Sequence, residues 1–449
     1  MQMEEKPKIS VIGVGYVGLC TAVGFASKGF TVISSDVDAE KVAKIKEGIP
    51  PFHEPSLPEM LKQTIENGNL KCLANQTQKA VLETDITYIA VGTPSKPDGS
   101  IDLQFIETVS SDIGKALNQK GNYHVVVVKS TVVPGTAQNT VKPNLEKQSK
   151  KRCGEDFGLC MNPEFLRQGN AFQDTFNADR VVIGSFDQKS GDTIDALYKG
   201  FYYPKLPPII RTSLATAELI KYASNAMLAT KISFINTIAN ICEKIPGADV
   251  KTVATAMGLD KRIGPLFLDA GLGYGGSCFP KDVKALIACS KAFGYTPELL
   301  DSVENLNHTQ PLKAVEFCKQ QLGKLSDKNV AILGLAFKPD TDDMREARVI
   351  PIVNQLLIEG ANVTAYDPVA VNMAKSIFQN KIHYSPTAIA CLQNADAAIL
   401  VTEWEEFKKL TPEDFLKSMK HPILIDGRRI YNPELYGKKL NFTAIGLGK

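Results

Sequence analysis

The amino-acid sequence predicts an α/β protein in which two Rossmann-like parallel-sheet domains are joined by a long central helix and a small helical region. Apolar, β-branched runs alternate with helical stretches at both ends of the chain, and this pattern is typical of crossover connections in parallel sheets. Between the two ends lies a long stretch with no strand signal. The chain has 449 residues, which favours two or three domains over one ordinary core.

The first region alternates strand and helix signals. The sequence predicts strands in KISVIGVG, TVISSDVD, DITYIAVGTP and HVVVVKSTVVPG. A glycine-rich turn follows the first strand, and a helix continues from that turn to about Gly29. This alternation indicates crossover units and therefore a parallel sheet.

The central region contains SLATAELIKYASNAMLATKISFINTIANICEKI, which lacks Pro and Gly and stops at Pro246-Gly247. The sequence predicts one helix over residues 212–245, about 33 residues or ~50 Å long at the usual rise per residue. Two further helices are predicted in GADVKTVATAMGL and PKDVKALIACSKAFG.

The third region begins near Ser326 and repeats the style of the first. The sequence predicts four short buried strands, with helical segments between them, in NVAILGLAF, NVTAYDP, DAAILVTEW and HPILIDGRR. The repetition predicts a second α/β sheet, although it does not identify a function.

The charge balance excludes several classes of function. Lys plus Arg total 51 and Asp plus Glu total 49, so the basic excess that nucleic-acid and membrane-surface proteins usually carry is missing. We expect no nucleic-acid and no membrane partner, because no run of ~18 apolar residues is present either. The N-terminus does not resemble a signal peptide.

The cysteines and histidines do not form a recognisable cluster. The nine cysteines are scattered and none forms a CxxC pair, which fits reduced thiols in the cytoplasm. The five histidines are isolated. We therefore expect no metal site.

A dinucleotide site is predicted where the first strand meets the first helix. Gly13, Gly15 and Gly18 form GxGxxG in this context, which allows a tight turn, close approach of a pyrophosphate and close helix packing. Asp36 ends the second strand, where an acid can bind both ribose hydroxyls and repels a 2′-phosphate. NAD is therefore favoured over NADP. The later strand ends VGTP (91–94) and KSTV (129–132) fit either a ligand site or ordinary loops.

A polar line follows the predicted long helix. Glu218, Lys221 and Asn225 share one face because they lie three and four residues apart, and Asn236 and Asn240 extend the line. A solvated face is one interpretation. A helix that faces a polar ligand across a cleft fits better, because a solvated face usually carries more charge.

Cys278 lies just before a predicted helix that has Pro280 as its first residue and Asp282 in its first turn. Free amides at a helix N-terminus stabilise a thiolate, and Lys281 is nearby. The preceding glycines leave the backbone bare for a substrate. On spacing alone, an inert cysteine at a flexible turn remains as plausible as a nucleophile.

Five motifs together carry a family resemblance. GVGYVGL, NPEFLR (162–167), the pair Lys221 and Asn225, GYGGSCFPKD and FKPDTDDMRE (337–346) occur in this order. The chain resembles the UDP-glucose 6-dehydrogenases, within the nucleotide-sugar dehydrogenases, essentially from end to end. GGSCFPKD is the specific part, since relatives that act on UDP-N-acetyl sugars resemble a GGHC-type pattern instead.

The resemblance implies a four-electron oxidation of UDP-glucose to UDP-glucuronate with two NAD⁺. Cys278 would form a thiohemiacetal and then a thioester. Lys221 and Asp282 would transfer protons and position water, Asn225 would contact substrate or oxyanion, and Glu164 would serve thioester hydrolysis. By the same resemblance, the catalytic set comprises Cys278, Lys221, Asp282, Asn225, Glu164 and Thr131.

The resemblance also implies two binding sets and an assembly. The expected cofactor contacts are Gly13, Gly15, Tyr16, Val17, Gly18, Asp36, Lys41, Thr93, Thr131, Lys281 and Arg345. The expected substrate contacts are Glu164, Phe165, Leu166, Lys221, Asn225, Arg262, Phe267, Tyr274, Gly275, Phe337, Lys338 and Arg428 (or Arg429 in its place). Arg262 would reach the neighbouring site of a homodimer.

The corresponding domains are an NAD-binding Rossmann domain at 1–211, a helical dimerisation and cysteine domain at 212–325, and a UDP-sugar-binding domain at 326–449. We expect a cytoplasmic enzyme that serves polysaccharide biosynthesis. Three alternatives stay open: a dehydrogenase of GDP-mannose or another UDP-hexose, a single-oxidation hydroxyacid dehydrogenase, and a catalytically silent nucleotide-binding regulator.

One position departs from the family pattern. The family motif commonly ends in Glu where this chain has Gln168. Glutamine keeps a hydrogen bond but cannot act as a base. Our hypothesis is that Gln168 is only a hydrogen-bonding partner near the nicotinamide; the alternative is that hydrolysis depends wholly on Glu164 and Asp282.

Overall fold

The computed structural model describes residues 6–448. The chain divides after Ser224 into two compact units, called unit 1 and unit 2 below. The division lies within the long central helix, and the three-domain division stays a prediction.

Unit 1 is built on an eight-stranded sheet with the order β3-β2-β1-β4-β5-β6-β7-β8. All neighbouring strands are parallel except β6 and β7, which pair antiparallel, so the predicted parallel sheet ends in an inverted pair. The strands are β1 (Ile9–Ile12), β2 (Val32–Asp36), β3 (Leu70–Ala74), β4 (Ile86–Ile89), β5 (Val125–Val128), β6 (Gly158–Met161), β7 (Val181–Ser185) and β8 (Ile209–Thr212).

Eight helices accompany this sheet within the described part of unit 1. They are α1 (Tyr16–Ser27), α2 (Ala39–Lys46), α3 (Leu57–Glu66), α4 (Thr77–Leu82), α5 (Gln104–Gln119), α6 (Lys142–Ser149), α7 (Ala171–Phe176) and α8 (Gln188–Tyr202). A π-helical turn, Ala137–Val141, leads into α6. Strands β1, β4, β5 and β6 are buried along their whole length, as strands covered by helices on both faces must be.

The predicted long helix is confirmed as one element, α9 (Leu214–Cys242), of 29 residues. It begins two residues later than predicted because Ser213 accepts a hydrogen bond from the Thr216 amide through its hydroxyl, as an N-cap does. It ends before Pro246, which cannot continue a helix.

Unit 2 contains a six-stranded sheet with the order β11-β10-β9-β12-β13-β14. Its strands are β9 (Asn329–Leu333), β10 (Asn362–Tyr366), β11 (His383–Tyr384), β12 (Ala397–Leu400), β13 (Ile423–Asp426) and β14 (Asn441–Ala444). All the pairings are parallel. The first six strands of unit 1 and the six strands of unit 2 therefore share the Rossmann order.

The helices that follow α9 are short or of moderate length. They are α10 (Val250–Gly258), α11 (Phe279–Ala292), α12 (Glu298–Thr309), α13 (Lys313–Leu322), α14 (Val349–Ile358), α15 (Val371–Phe378), α16 (Ala388–Leu392), α17 (Glu405–Lys408), α18 (Pro412–Ser418) and α19 (Pro433–Gly437). Short 3₁₀ turns occupy Gln310–Leu312 and Gln379–Lys381.

The eight strands predicted from sequence are present, and the described residues contain six more. The six additional strands are β3, β6, β7, β8, β11 and β14. Strand β11 has only two residues and β8 is partly exposed along its length. Such strands lack the long apolar runs on which a prediction from sequence depends.

Four residues of the polar line on α9 are buried and Asn240 is half-buried, so the interpretation of this line as a solvated face is wrong. In unit 1, Glu218 accepts hydrogen bonds from the amides of Gly135 and Ala137 at 2.6 and 2.7 Å. In unit 2, Asn236 accepts from the Gly271 amide at 2.8 Å and Asn240 donates to Gln310 at 3.0 Å. Burial makes these polar partners obligatory, since an unpaired polar group in the interior is costly.

Two features are absent from the described residues. Within residues 6–448, no helix is long and apolar enough to span a membrane. Nor do His, Cys, Asp and Glu residues of this part of the chain group in a way that could hold a metal ion.

Glu218 gives unit 1 a pH-dependent contribution to stability. Burial raises the pKa of its carboxyl to about 7, against the two amide hydrogen bonds, which lower it. Because the folded-state pKa is the higher one, this contribution is full below about pH 4.5 and is lost as the pH rises through 7. The free energy of unfolding of wild type minus that of Glu218→Gln should therefore fall by about 1–3 kcal/mol between pH 5 and pH 8.

Melting temperatures of the two proteins across this pH range provide the measurement. Glu40→Gln, at an exposed position of α2, is the matched control and should show no such trend. A wild-type to Glu218→Gln difference that is constant with pH would contradict the assignment.

Candidate active site

The glycine turn after β1 is shaped for a close approach of ligand to backbone. Gly13 has φ +94°, and a Cβ there would lie 2.6 Å from the Ala90 carbonyl oxygen. A Cβ on Gly18 would lie 1.9 Å from the Gly13 oxygen, whereas one on Gly15 would meet nothing within 4 Å. Gly15 precedes α1 without a side-chain cap. The open space at Gly15 and the unfilled helix N-terminus fit a pyrophosphate.

Asp36 is held at the end of β2 by the backbone of this turn. Its carboxylate accepts hydrogen bonds from the amides of Val14 at 2.7 Å and Asp38 at 2.9 Å. Each oxygen keeps a lone pair for a ribose hydroxyl. The donors and acceptors present therefore fit NAD. Lys41 pairs with Asp38 at 3.4 Å, within its own turn.

The carboxyl ends of β4 and β5 are tied together beside this turn. Thr93 donates its hydroxyl to the Thr131 carbonyl at 2.8 Å, and Ser130 donates to the Val91 carbonyl at 2.7 Å. The segments VGTP and KSTV, for which a ligand site and ordinary loops were equal alternatives, thus form one joined edge of the sheet. This is the edge at which Rossmann sheets bind ligands.

Glu54 is a buried residue of this region that the sequence analysis missed. Its carboxylate accepts hydrogen bonds from the Tyr16 hydroxyl at 2.5 Å, the Gly169 amide at 2.9 Å and the Phe172 amide at 3.2 Å. It therefore joins the start of α1 to the segment that follows Gln168. The only signal in the sequence is a lone acid between His53 and Pro55.

Glu164 and Lys221 form a buried ion pair in unit 1. Their charged atoms lie 2.9 Å apart, and both side chains are less than 10% exposed, at 7% and 5%. Glu164 also accepts the Leu166 amide at 2.6 Å. Burial raises the pKa of Glu164, but the Lys221 ammonium, the Leu166 amide and the charge of Lys129 outweigh it, so that the pKa is lowered overall. Glu164 is therefore held as a carboxylate.

Phe165 and Lys129 lie near this ion pair. The Phe165 ring lies 5.7 Å from the Lys221 nitrogen and 3.9 Å from the Arg180 guanidinium carbon. Lys129 is buried and donates to the Asn162 side-chain oxygen at 3.0 Å. Lys129 belongs to the segment KSTV but was not among the site residues predicted from the sequence.

In unit 2, Cys278 is the N-cap residue of α11, and its side chain makes no capping hydrogen bond. It is the one exposed cysteine of the nine, all of which lie within the described part of the chain. The sequence predicted Pro280 as the first residue of this helix. The helix begins at Phe279, so Pro280 is its second residue. The Ser277 hydroxyl lies 3.7 Å from the sulfur. An accessible thiol at a helix N-terminus is suited to form a thiolate.

Asp282 lies in the first turn of the same helix and is buried. It accepts hydrogen bonds from the Asn225 amide group at 2.6 Å and from the Lys281 ammonium at 2.7 Å. The structure thus brings together Asn225, Asp282 and Lys281, three residues of the predicted site. This carboxylate is held in place beside the turn that carries Cys278.

Close contacts explain the glycines before Cys278. A Cβ on Gly275 would lie 2.5 Å from the Glu346 carbonyl oxygen, and one on Gly276 would lie 2.8 Å from the Phe337 ring. The Gly276 amide donates to the Arg345 carbonyl at 2.9 Å. The glycines are therefore packed against the segment 337–346, and a flexible turn does not describe them.

Arg345 adds positive charge near the cysteine. Its pKa is raised mainly by hydrogen bonds to Asp343, and attraction to Cys278 contributes in the same direction. This guanidinium therefore favours the thiolate form of Cys278. The Lys338 ammonium lies 5.7 Å from the Phe337 ring.

The remaining predicted contacts of unit 2 fall into two groups. Phe267 and Tyr274 each lie about 6 Å, ring to ring, from Phe279, at 6.1 and 6.0 Å. Arg428 donates to the carbonyls of Val401 at 2.6 Å and Gly273 at 3.3 Å, and so borders the glycine segment.

The guanidinium groups of Arg429 and Arg262 contact residues of unit 2 outside the glycine segment before Cys278. Arg429 is buried and bonds Asp249 and the Ile445 carbonyl, which leaves Arg428 as the better candidate of the two neighbours. Arg262 is 89% exposed and pairs only with Asp260 of its own turn. Nothing else within the described residues engages its guanidinium.

Three family models match successive parts of the chain. The NAD binding domain of the UDP-glucose/GDP-mannose dehydrogenase family matches residues 7–202, its central domain matches residues 215–309, and its UDP binding domain matches residues 331–433. The first match confirms NAD as the cofactor.

Curated relatives and a solved structure match over nearly the whole length. UDP-glucose 6-dehydrogenase AglM of Haloferax volcanii is 42% identical and covers 94% of this chain and 97% of its own. UDP-glucose 6-dehydrogenase TuaD of Bacillus subtilis is 42% identical, with 95% and 90% covered. The structure of a UDP-glucose dehydrogenase from Pyrobaculum islandicum is 36% identical with a TM-score of 0.92, covers 100% of this chain and 99% of its own, and confirms the fold class. The chain belongs to the UDP-glucose/GDP-mannose dehydrogenase family.

Proposed function

We propose that this protein is an NAD-dependent UDP-glucose 6-dehydrogenase that oxidises UDP-glucose to UDP-glucuronate. The observation that carries the proposal is the exposed Cys278 thiol at the N-terminus of α11, with the Asp282 carboxylate in the same helical turn. A dehydrogenase that stops at an aldehyde or ketone needs no such thiol. A second oxidation at the same carbon first needs a nucleophile on the aldehyde, and this thiol is suited to that role.

In the first oxidation, the C6 alcohol loses a hydride and its hydroxyl proton and becomes an aldehyde. When bound, NAD⁺ supplies the hydride acceptor. Lys221 stabilises the developing alkoxide, since its ammonium is held in a buried position by Glu164. Asn225 and Asp282 act at the same substrate, Asn225 as a hydrogen-bond donor and Asp282 as a proton acceptor through water.

In the second oxidation, the Cys278 sulfur adds to the aldehyde carbon, and the carbonyl oxygen gains a proton. The resulting thiohemiacetal loses a hydride and a proton and becomes a thioester. Covalent attachment keeps the aldehyde from leaving. Arg345 favours the attacking thiolate through its positive charge.

Hydrolysis completes the reaction. Water adds to the thioester carbon, the carbon–sulfur bond breaks, and its electrons return to Cys278. Glu164 is an ionised carboxylate suited to accept a proton from water. In total, UDP-glucose, two NAD⁺ and one water become UDP-glucuronate, two NADH and three H⁺.

We also propose a homodimer. Between residues 259 and 299, unit 2 carries five large apolar side chains that are 66–80% exposed, and exposed apolar surface is suited to an interface between subunits. These side chains are Leu259, Leu266, Phe293, Tyr295 and Leu299. The exposed Arg262 lies in the same segment and would reach the neighbouring subunit's substrate.

A cytoplasmic location and a role in polysaccharide biosynthesis complete the proposal. The scattered spacing of the nine cysteines, with no CxxC pair, supports a reducing compartment. The product keeps its nucleoside diphosphate, which is a leaving group for glycosyl transfer. A glycosyl transfer reaction must therefore consume it to build a uronate-containing polymer.

The first prediction concerns the stoichiometry of NADH formation. Wild type should release two NADH per UDP-glucose, whereas Cys278→Ser should lose at least about 100-fold in uronate formation, because an alcohol side chain forms the intermediates poorly. Absorbance of NADH with quantified uronate measures both, across a panel of UDP- and GDP-sugars. Cys289→Ser, on the same helix, is the control and should still release two NADH per UDP-glucose.

One NADH per product from wild type would indicate a single-oxidation enzyme. The sugar of the panel that is oxidised fastest defines the hexose.

A second prediction concerns Gln168. If it is only a hydrogen-bonding partner, Gln168→Glu should change kcat by less than about threefold, since no proton transfer depends on that position. Steady-state kinetics with saturating UDP-glucose and NAD⁺ measure this. A greatly faster Gln168→Glu enzyme would mean that a base is missing at this position in wild type.

A third prediction concerns assembly. Sedimentation analysis should give a mass of twice the 48.9 kDa chain, because the exposed apolar side chains would be covered by a second copy. Leu266→Glu should shift the protein toward monomer, since it buries a charge in the interface. The control is Leu435→Glu, at an exposed site of α19. A monomeric wild type at micromolar concentration would refute the dimer.

A further inference from the structure

Lys129 is a buried, ionisable residue to which the reaction proposed above assigns no role. It follows β5 directly and is 8% exposed. Its ammonium group donates to the Asn162 side-chain oxygen at 3.0 Å and lies 5.9 Å from the Tyr88 ring centroid. A buried ammonium whose hydrogen-bond partner is a neutral amide is costly. Its place in the interior therefore requires a compensating charge.

The amide that holds Lys129 is itself fixed from three sides. Asn162 follows β6 directly, and its side-chain oxygen also accepts the Tyr198 hydroxyl at 2.5 Å. Its amide nitrogen donates to the Val182 carbonyl at 2.8 Å. Asn162 comes two residues before Glu164, and Lys129 comes two residues before Thr131. The Lys129–Asn162 bond thus joins the two turns that carry Thr131 and Glu164.

Glu164 forms an ion pair with Lys221 and none with Lys129, so its charge compensates Lys129 only at longer range. The charged groups that act on Lys129 are these two residues, and the other groups that face it directly or through Asn162 are the neutral phenols of Tyr88 and Tyr198. With both lysines protonated, this cluster of two cations and one anion carries a net positive charge. The Glu164–Lys221 pair alone would be neutral.

We propose that Lys129 is a positioning residue of the reaction proposed above, whose buried ammonium gives the Glu164–Lys221 pair a surplus positive charge that stabilises the developing alkoxide of the substrate. The charge acts through Lys221, because Glu164 can interact with both lysines and so does not neutralise Lys221 completely. In a buried site such a charge is screened far less than in water. This inference rests on the proposed function.

The surplus charge is lost in an accessible pH range. Burial lowers the pKa of Lys129 to about 8; attraction to Glu164 raises it and repulsion from Lys221 lowers it further. Lys129 is therefore charged below about pH 8 and neutral above it. A structural tie between two turns would not give a rate effect with this pH dependence.

The test compares kcat of wild type and Lys129→Met from pH 6.5 to 9.5, with saturating UDP-glucose and NAD⁺. Wild type should exceed Lys129→Met by about 10-fold at pH 7, where Lys129 is charged, and the ratio should approach one above pH 9. Lys129→Arg keeps the charge throughout, so its kcat relative to wild type should rise above pH 8. A pH-independent ratio for both variants would overturn the proposal.

Tyr198→Phe is the matched control. It removes the other hydrogen bond to the Asn162 oxygen without changing a charge, so its kcat ratio to wild type should not vary with pH. A ratio for Tyr198→Phe that varies like that of Lys129→Met would assign the effect to geometry and overturn the proposal. If Lys129→Met does not fold, Lys129→Arg against wild type decides alone.

A readout without catalysis separates this proposal from the proposed function. Because the folded-state pKa of Lys129 is depressed, its unfavourable burial as a cation is relieved as the pH rises through about 8. The melting temperature of wild type relative to Lys129→Arg should therefore rise between pH 7.5 and pH 10. If wild type reduced no NAD⁺ with UDP-glucose, the proposed function would fail; a flat melting difference would refute the Lys129 proposal by itself.

Discussion

The buried ion pair of Glu164 and Lys221 is the interaction on which the proposed chemistry of unit 1 depends. Two opposite charges 2.9 Å apart in the interior must recover a large desolvation cost, and they do so only if their remaining hydrogen-bonding positions are filled. The Leu166 amide fills one of them. The pair therefore fixes the turn after β6 and the face of α9 at once. Removing Glu164 would take the buried negative charge away from both Lys221 and Lys129.

Both Rossmann sheets contain the same backbone hydrogen bond from a glycine, but the aspartate beside it has different partners in each sheet. Gly13 and Gly334 both have positive φ. The Gly13 amide donates to the carbonyl of Ser35, which precedes Asp36, and the Gly334 amide donates to the carbonyl of Tyr366, which precedes Asp367. In unit 1, Asp36 accepts two backbone amides and keeps free lone pairs. In unit 2, the corresponding aspartate is fully engaged.

Asp367, which follows β10, accepts five hydrogen bonds from four amides and the Trp404 indole. It is also 2% exposed. A carboxylate with five donors cannot also receive two ribose hydroxyls. The same sheet order therefore supports a dinucleotide site in unit 1 and not an equivalent one in unit 2, which agrees with the different family domains that match the two ends.

The sequence was sufficient where the signal is local. The glycine turn, Asp36 and the start of α11 were all predictable, because backbone sterics and helix-end chemistry act over a few residues. The burial of the α9 polar line was not settled by its spacing, since periodicity identifies a shared face without saying what covers it. Glu54 and Lys129 were missed for a related reason. Each is a lone charged residue in a turn, and only the tertiary fold brings it to its partners.

Cys278 shows how a structure can favour one of two interpretations that spacing leaves equal. An inert cysteine at a flexible turn would be buried, as seven of the other cysteines are, or its glycines would be loosely packed. Instead the sulfur is exposed, and the glycines before it are packed against Phe337 and Glu346 so closely that a Cβ would clash. The turn holds the thiol exposed at a helix N-terminus, where Arg345 contributes positive charge. A structural cysteine would instead be packed in the interior. This arrangement favours the interpretation of Cys278 as an accessible thiolate.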